Sequence, residues 1–470
     1  MLQSLRIQNF KGWKDTDNIR MAPITLFFGT NSSGKSSISQ FLMMLKQTVE
    51  SSDRKAVLYP GDKNSAVQLG SFQEMIFHRD PEKKISFKYE WDIGKELKFK
   101  DVLSGKKYAA TSIAFDGKIA MQKEYGEMLS MEHFHYNLKN EEKEILSIGM
   151  QQKKTGNKYE YEIHSDNYPL KRNPGRVWYP ESPVRFYGFP DEVIAYHQNA
   201  QFVQSLNLEH ENLFKSIFYL GPLRTKTQRL YSWSGITPES VGYSGENTVP
   251  AMLAARGRKI SLGHKKVNRP LEQVVAKSLK SMGLIEEFRV KRISKQRQEY
   301  EVNVQTKGSK DWVDLPDVGF GISQVLPVLV QCFYAPANSI IIMEQPEIHL
   351  HPSAQSALAD VMIDVINSKE NGENRNVQLI IETHSEHFLK RIQRRIAEEE
   401  VSQEDISAYF AKVDSSPAKL EPLEIDLFGN IRNWPKNFFG DEMGDVTAHA
   451  KAAMDKRIRQ MNLEKVAKNE

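Results

Sequence analysis

The stretch Ile24-Thr-Leu-Phe-Phe-Gly29-Thr-Asn-Ser-Ser-Gly34-Lys35-Ser36 decides how this chain folds. Its apolar run indicates a buried strand, and the residues that follow fit GxxxxGK[ST], a pattern that joins a strand to a helix. The glycines let backbone N–H groups face phosphate oxygens, and the helix N-terminus adds positive potential. We therefore expect a nucleotide site with ATP and Mg²⁺ as its ligands, Lys35 reaching the terminal phosphates and Ser36 binding the metal. The residues expected to bind the nucleotide here are Gly29, Asn31, Ser32, Gly34, Lys35, Ser36 and Ser37.

The composition narrows the class of protein. Of 470 residues, 40% are hydrophobic and 26% charged, as in ordinary globular proteins. The net charge of +4 permits nucleic-acid binding without implying it. The single cysteine, Cys332, cannot form an internal disulfide, which suits a reducing compartment. Because there is no signal-like N-terminus and no apolar run long enough to span a bilayer, we expect a cytoplasmic protein without a membrane partner.

A second apolar strand, Ile340-Ile-Ile-Met-Glu344, ends in an acid. A P-loop needs a carboxylate at the end of a neighbouring strand to hold Mg²⁺ through water, so Glu344 is the expected metal residue. The segment continues Gln345-Pro-Glu347-Ile-His349-Leu-His351-Pro. His349 and His351 alternate as zinc ligands do, but without a cysteine or another clustered ligand the pattern favours loop histidines beside phosphate.

These motifs carry a family resemblance. The segment Glu344–Pro352 after an apolar strand resembles the Walker B and D-loop region of ABC-class ATPases, and is most similar to the RecF, SMC and overcoming-lysogenization-defect groups. Ile381-Glu-Thr-His384-Ser385 resembles their switch loop, which implies that His384 points at the γ-phosphate. The resemblance implies an α/β fold: an ABC-type ATPase head with a P-loop sheet, a β-rich lobe and a helical lobe. No sustained heptad pattern is present, so we expect no long coiled coil.

The segment before the Walker B strand resembles the ABC signature loop, and Gly321, Ser323 and Gln324 are its expected nucleotide-binding residues. Gly321 stands where the usual signature has a serine, and Ser323 where it has a glycine. In this class the signature loop presents backbone amides to a nucleotide held by the opposite subunit. The resemblance therefore implies a homo-oligomer, either a head-to-tail dimer or a higher assembly.

Three further residues are candidates for the site. Gln73 is the candidate Q-loop residue, which would couple Mg²⁺ to the β-rich lobe. The alternative is that Gln73 is simply a solvated glutamine. Lys11 and Trp13 stand where relatives place residues near the nucleotide, although Trp13 equally suits a core aromatic.

One position departs from the family pattern. Relatives have an acid directly after the Walker B acid that serves hydrolysis, whereas this chain has Gln345, an amide that cannot take a proton. Either Glu347 replaces that acid, or hydrolysis is slow and ATP acts mainly as a clamp. With Glu344 and His384, these residues form the expected catalytic set, and the working hypothesis is slow turnover with tight ATP binding.

The sequence predicts that the chain is divided into five parts. Residues 1–75 and 301–446 are expected to form the two halves of the ATPase core, the second with the signature, Walker B and switch histidine. Residues 76–200 alternate as a β-rich lobe, residues 201–300 read as a helical lobe, and residues 447–470 as a charged helical tail.

Further segments resemble a narrower group. YLGPLR from Tyr219, VGYSGENTV from Val241 and GNIRNWPKNFF from Gly429 are similar to stand-alone prokaryotic defence ATPases such as PtuA of Septu anti-phage systems. This resemblance implies regulation of a separate nuclease partner. A RecF-like ATPase acting directly on DNA is the alternative, and a self-contained nuclease is disfavoured because no nuclease constellation is evident.

DNA remains a possible ligand because basic residues cluster in three segments. The clusters are Arg256, Arg258, Lys259, Lys265, Lys266 and Arg269; Arg289, Lys291, Arg292, Lys295 and Arg297; and Lys390, Arg391, Arg394 and Arg395.

Overall fold

A computed structural model describes residues 1–122, 128–155, 158–175, 179–263, 267–294, 296–412, 417–435, 438 and 442–469. The strands are β1 (Leu2–Phe10), β2 (Trp13–Asp15), β3 (Ile19–Arg20), β4 (Ile24–Gly29), β5 (Ile85–Lys100), β6 (Lys107–Gln122), β7 (Met128–Asn140), β8 (Lys143–Thr155), β9 (Lys158–Asp166), β10 (Ile217–Leu220), β11 (Tyr231–Ser232), β12 (Lys259–Ser261), β13 (Arg269–Pro270), β14 (Glu287–Arg292), β15 (Glu299–Gln305), β16 (Trp312–Asp314), β17 (Ile340–Glu344), β18 (Lys369–Glu370), β19 (Glu373–Asn374), β20 (Gln378–Glu382), β21 (Ile406–Lys412) and β22 (Lys419–Pro422). The helices are α1 (Lys35–Glu50), α2 (Phe72–Met75), α3 (Asp191–Tyr196), α4 (Phe202–Lys215), α5 (Thr248–Ala254), α6 (Leu271–Ser281), α7 (Phe320–Tyr334), α8 (Pro352–Ile366), α9 (Glu386–Ala397) and α10 (Glu442–Asn469).

The central sheet has the strand order β10-β17-β20-β4-β21-β22 and is parallel except at β22. Its strands are apolar on both sides, as in β4, where Phe27 joins one core while Leu26 and Phe28 join the other. Continuous apolar strands of this kind are stable only when both faces of a sheet are covered. Because the strands are parallel, the residues at their carboxyl ends, where β4 runs into the P-loop, share one edge.

A large antiparallel sheet covers one side of the central sheet. Its order is β2-β1-β5-β6-β7-β8-β9, with β3 paired to β1. Helix α1 packs against this sheet, since the Phe41 ring meets Phe10 and Phe87 at centroid distances of 5.1 and 5.4 Å. The P-loop helix, the antiparallel sheet and one face of the central sheet therefore share a hydrophobic core.

Helices α5 to α9 contribute to a second core on the opposite face of the central sheet. The predicted α/β architecture is thus confirmed, and no long coiled coil occurs among the described residues. No helix in the described ranges has the length and apolar character needed to cross a membrane.

The segment 201–300 differs from its mostly helical prediction. It contains α4, α5 and α6, but also β10, which pairs with β17 at the edge of the central sheet. A buried run as short as Ile217–Leu220 has no periodicity that separates a strand from a helix. The tail helix α10 begins at Glu442, ahead of the predicted start at 447.

A buried histidine joins α4 to the antiparallel sheet. The Nε2 and Nδ1 atoms of His210 lie 2.8 Å from the Tyr89 hydroxyl and 2.9 Å from the Tyr136 hydroxyl. Its ring stacks on Tyr187 at a centroid distance of 4.3 Å. Burial lowers the pKa of His210 well below its ordinary value, so the imidazole is neutral in the folded protein.

Replacing this histidine tests the packing of α4. His210→Leu is expected to lower the free energy of unfolding by about 1–3 kcal/mol, because the Tyr89 hydroxyl loses its partner. Stability of the wild type should fall as the pH drops below about 6.5, since the unfolded chain binds that proton first. Urea unfolding at about pH 7.5 and about pH 5.5, on either side of the ordinary histidine pKa, measures both effects.

The exposed His387 in α9 provides the matched control, His387→Leu, which should change neither quantity. Unchanged stability and an unchanged pH slope in His210→Leu would contradict this account of the interface.

Candidate functional site

The P-loop is curled by residues with left-handed backbone conformations. Gly29, Ser32 and Gly34 have φ angles of 145°, 61° and 90°. A Cβ atom at Gly29 would lie 2.4 Å from the carbonyl oxygen of Ala411 on β21. Only glycine tolerates that approach, so β21 and the loop together determine where the P-loop leaves the sheet.

Lys35 lies at the start of α1 and is buried. Its Nζ atom donates hydrogen bonds to the carbonyl oxygens of Gly29, at 3.0 Å, and Thr30, at 2.7 Å. Burial lowers the pKa of Lys35 and the nearby Glu382 carboxylate opposes that shift. The loop therefore concentrates positive charge where the sequence predicts terminal phosphates.

Trp13 and Lys11 both lie against the P-loop segment. The completely buried Trp13 donates from Nε1 to the carbonyl oxygen of Gly34 at 3.0 Å. Lys11 donates from Nζ to the Gln40 side chain on α1. Trp13 is thus a core aromatic that also supports the loop, so its two sequence interpretations are not exclusive.

The parallel register brings two acids to the edge of the sheet. Glu344 ends β17 directly opposite Glu382 on β20, and Glu382 in turn lies opposite Phe27 on β4. Glu382 and Ser36 line the same pocket. The residues lining the pocket at the P-loop are Asn31–Ser37, Gln40, Gln345, Glu382 and His384.

Sequence reasoning did not assign Glu382. The signal was available, because this acid ends the same apolar strand that leads to His384. The sequence does not reveal the strand order. Because β20 lies between β17 and β4, the residue that ends β20 is one strand nearer to the P-loop than the residue that ends β17.

Glu344 lies beside this pocket, and its carboxylate is hydrogen-bonded to a tyrosine that does not line the pocket. Its Oε1 atom accepts a hydrogen bond of 2.8 Å from the Tyr219 hydroxyl. Burial and the neighbouring Glu382 carboxylate raise the pKa of Glu344 to about 7. Lys11 and the Tyr219 hydrogen bond act in the opposite direction.

Glu347 supports the switch loop. Its Oε1 atom accepts a 2.8 Å hydrogen bond from the backbone N–H of His384, and burial raises its pKa. Glu347 does not line the pocket, whereas Gln345 and His384 do. The expectation that Glu347 replaces the missing acid of hydrolysis is therefore not supported, because its carboxylate is committed to holding His384.

The turn after β17 is held by an arginine from the segment YLGPLR. Arg224 donates to the backbone carbonyl oxygens of Glu344, at 3.2 Å, and Gln345, at 3.4 Å. Gln345 has a φ angle of 46°, a left-handed conformation, and its N–H donates to the Glu382 carbonyl oxygen at 2.8 Å. These contacts keep the Gln345 side chain at the pocket.

The candidate signature residues begin α7. Ser323 donates to the Phe320 carbonyl oxygen at 2.7 Å, and Gly321 packs close to the backbone of His349. Gly321, Ser323 and Gln324 do not line the P-loop pocket of their own chain. Phe320, beside them, is 62% exposed.

The metal role predicted for Gln73 is not supported. Gln73 is exposed on α2 and does not line the pocket, because its neighbours Phe72 and Met75 take the buried face of this short helix. His351 caps α8 by accepting from the Ser353 N–H, while the ring of His349 packs against Phe320. The alternating histidines therefore do not form a zinc site.

Another group of metal-ligating side chains lies on the antiparallel sheet. Across the described ranges, the group able to share one ion comprises Asp116, His133 and His135, with ligand atoms within 4.8 Å of one another. It is carried by β6 and β7 and is separate from the P-loop.

The basic cluster of α9 is neutralised within the chain, and Arg258 of the first cluster is paired as well. Arg258 forms a bidentate ion pair with Glu370, and Arg391 and Arg395 both pair with Asp360. Further pairs join Lys390 to Glu386 and Arg394 to Glu398. Lys265, Lys266 and Lys295, together with Lys436, Asn437 and Phe439 of the segment WPKNFF, lie outside the described residues.

The fold and this site define a P-loop ATPase. Residues 1–216 and 259–389 match the family described as an AAA ATPase domain, and the chain belongs to that family. Residues 401–448 match a family described as a protein of unknown function, DUF3696. No curated protein matches the sequence.

Three solved structures show weak similarity. The SMC head domain from Thermotoga maritima has 9% identity and a TM-score of 0.39, covering 90% of this chain and 99% of that one. An Smc head domain with an extended coiled coil, bound to the C-terminal domain of ScpA derived from Pyrococcus furiosus, has 9% identity and a TM-score of 0.41, with coverages of 90% and 96%. A structure from work on ATP-driven dimerization and DNA-stimulated activation of SMC ATPases has 13% identity and a TM-score of 0.25, with coverages of 33% and 83%.

A pair of glycine substitutions tests the P-loop geometry. Gly34→Ala is expected to weaken nucleotide binding about tenfold or more, because a left-handed backbone costs an L-residue about 1–2 kcal/mol. The added Cβ would also lie 3.2 Å from the Trp13 ring. Equilibrium titration with a fluorescent ADP analogue measures the change.

Gly12→Ala is the matched control, since a Cβ atom there would meet nothing within 4 Å. Equal affinities for the two variants would contradict the proposed role of the loop conformation.

Proposed function

We propose that this chain binds ATP-Mg²⁺ at the P-loop, hydrolyses ATP slowly, and regulates a partner nuclease of an anti-phage defence system through ATP-dependent dimerisation. The observation that carries the ATP site is the pocket in which Lys35, Ser36, Glu382 and His384 meet at the carboxyl edge of the central sheet. In P-loop ATPases this edge carries the phosphate and metal ligands.

The described residues suit ATP-Mg²⁺ chemically. Backbone N–H groups and Lys35 supply positive potential for the phosphates, and the Ser36 hydroxyl is available to bind the metal. The buried Oε2 atom of Glu382 has no hydrogen-bond partner among the described residues, so it is free to interact with a cation or its water shell.

Slow hydrolysis follows from the acid that is missing beside Glu344. Gln345 lines the pocket at that position, and an amide can orient water but cannot accept its proton. His384, whose pKa is lowered by burial and by Lys35, is a neutral group facing the same pocket. ATP would then act chiefly as a clamp.

Dimerisation is proposed from the position of α7. Its N-terminal residues do not line the pocket of their own chain, and Phe320 leaves this helix end exposed. A helix N-terminus favours anionic ligands, so α7 of one copy is suited to the γ-phosphate held by another. Two copies placed head to tail would complete two nucleotide sites.

The defence role rests on sequence resemblance. The segment YLGPLR, which resembles a stretch of stand-alone defence ATPases, supplies the Arg224 that holds the turn after β17. Direct action on DNA is less favoured, because Arg258 and the basic cluster of α9 form ion pairs within the chain, and such pairs leave less free charge for phosphates.

Affinity purification of the tagged chain tests the partner proposal. With ATP-Mg²⁺ present, a separate nuclease is expected to co-purify in stoichiometric amount, identified by mass spectrometry. The Lys35→Met variant should show an altered yield of that partner, because the ATP-dependent state is lost. Recovery of DNA alone, or of the chain alone, would contradict the nuclease proposal and favour the RecF-like alternative.

A further inference from the structure

Three side chains that suit a metal ion lie together on the antiparallel sheet, outside the P-loop pocket. Asp116 belongs to β6, and His133 and His135 belong to β7. Asp116 lies directly opposite His135 in the strand register, and His133, two residues before His135, projects from the same face. Their ligand atoms lie within 4.8 Å of one another. Two paired strands therefore hold all three side chains in one place.

The group lies on the face of the sheet that points away from the hydrophobic core. Its sequence neighbours Phe115 and Phe134 are completely buried in the core that α1 shares. Because side chains alternate along a strand, Asp116, His133 and His135 point to the other face. There the side chains of Asp116 and His133 are 33% and 29% exposed. An ion can therefore reach the group from solvent without any change in the core.

Gly149 on β8 provides the space that the His135 imidazole occupies. It lies opposite His135 in the register, and a Cβ atom added there would lie 2.5 Å from Cδ2 and 2.8 Å from Cγ of that ring. A larger residue at this position would displace the ring. Burial lowers the pKa of His135, and the Asp116 carboxylate opposes that shift. The imidazole is therefore neutral at neutral pH, which is the form that binds a metal.

The spacing of the ligand atoms suits a shared ion. Nε2 of His133 lies 3.5 Å from Oδ1 of Asp116, which is longer than a good hydrogen bond. Two ligand atoms that each lie about 2.0–2.1 Å from a tetrahedral zinc ion are separated by about 3.3–3.4 Å. The rings of His133 and His135 have a centroid distance of 5.7 Å and an interplanar angle of 48°, so they do not stack on each other.

From this geometry we infer that Asp116, His133 and His135 bind a divalent transition-metal ion, and that Zn²⁺ is the ion they suit best. Imidazole nitrogens and a carboxylate oxygen are common zinc ligands, whereas Mg²⁺ and Ca²⁺ favour oxygen ligands alone. Three protein ligands leave one tetrahedral position for water or for a group from another molecule. The ion joins β6 to β7, and its binding does not depend on the proposed ATP site.

Competition with a chromophoric zinc chelator tests the site in the full chain, with Mg²⁺ in excess. The wild type is expected to take up one zinc ion per chain at this site. His133→Gln, His135→Gln and Asp116→Asn should each weaken zinc binding at least about tenfold, because even the loss of a group that only orients a metal ligand costs about 10–100-fold in affinity.

Two control variants separate this site from other zinc ligands of the chain. His387→Gln removes an exposed histidine of α9 and should bind zinc as the wild type does. Lys35→Met alters the P-loop and should also leave zinc binding unchanged. Zinc should raise the thermal unfolding midpoint of both controls but not that of His135→Gln, since an ion that binds the folded chain stabilises it. The midpoints without metal show whether each variant is folded.

Cobalt reports on the ligands themselves. Co²⁺ added in place of Zn²⁺ should give the visible absorption bands of a protein-bound ion in the wild type and in His387→Gln. These bands should be lost in His133→Gln and in His135→Gln.

Equal zinc affinity in the wild type, His133→Gln and His135→Gln would overturn the inference, because the ion would then bind elsewhere on the surface. A wild type that takes up no zinc would overturn it as well. Neither result bears on ATP-Mg²⁺ binding, since the P-loop residues take no part in this site.

Discussion

The pairing of β20 between β17 and β4 is the constraint on which the site depends. All three strands are parallel and buried on both faces, so their backbone groups are satisfied only by this ladder. A shift of one residue would exchange the faces of β20 and move Glu382 away from Ser36. The register thus couples the stability of the central sheet to the placement of the acid and His384 beside the P-loop.

The carboxyl edge of the central sheet carries buried acidic and basic side chains, and burying a charge costs free energy. Glu344, Glu347 and Glu382 all have raised pKa values, and burial is the largest cause in each case. Lys35 and Arg224 compensate in part, and the pKa of Arg224 is itself lowered to about 10 by burial. Such a site is stabilised further when a cation and phosphates add charges of both signs.

The sequence predicts the elements whose function lies in continuous residues. The P-loop combines fixed spacing with a flanking strand and helix, and the β17 strand is apolar throughout, so both were identified directly. His384 is predicted because Ile381–Ser385 resembles the switch loop of the family and follows both Walker motifs in the chain. Each of these signals is local and does not depend on how the strands are ordered.

The features that the sequence does not predict depend on residues that are distant in the chain but adjacent in the fold. Glu382 gains its position from a strand order that no single segment encodes, and β10 becomes a strand only because β17 pairs with it. Gln73 suited a Q-loop by position, yet the apolar side chains beside it turn its own side chain to solvent. Glu347 was recognised as an acid of the site, but only the structure shows that it binds the His384 backbone.

The central claim is that ATP-Mg²⁺ at this edge joins two copies of the chain, and light scattering coupled to size-exclusion chromatography tests it most directly. The account predicts a dimer or a higher assembly of the wild type at saturating ATP-Mg²⁺, and a smaller species both without nucleotide and in Lys35→Met. A wild type that remains a monomer at saturating ATP-Mg²⁺ would contradict it.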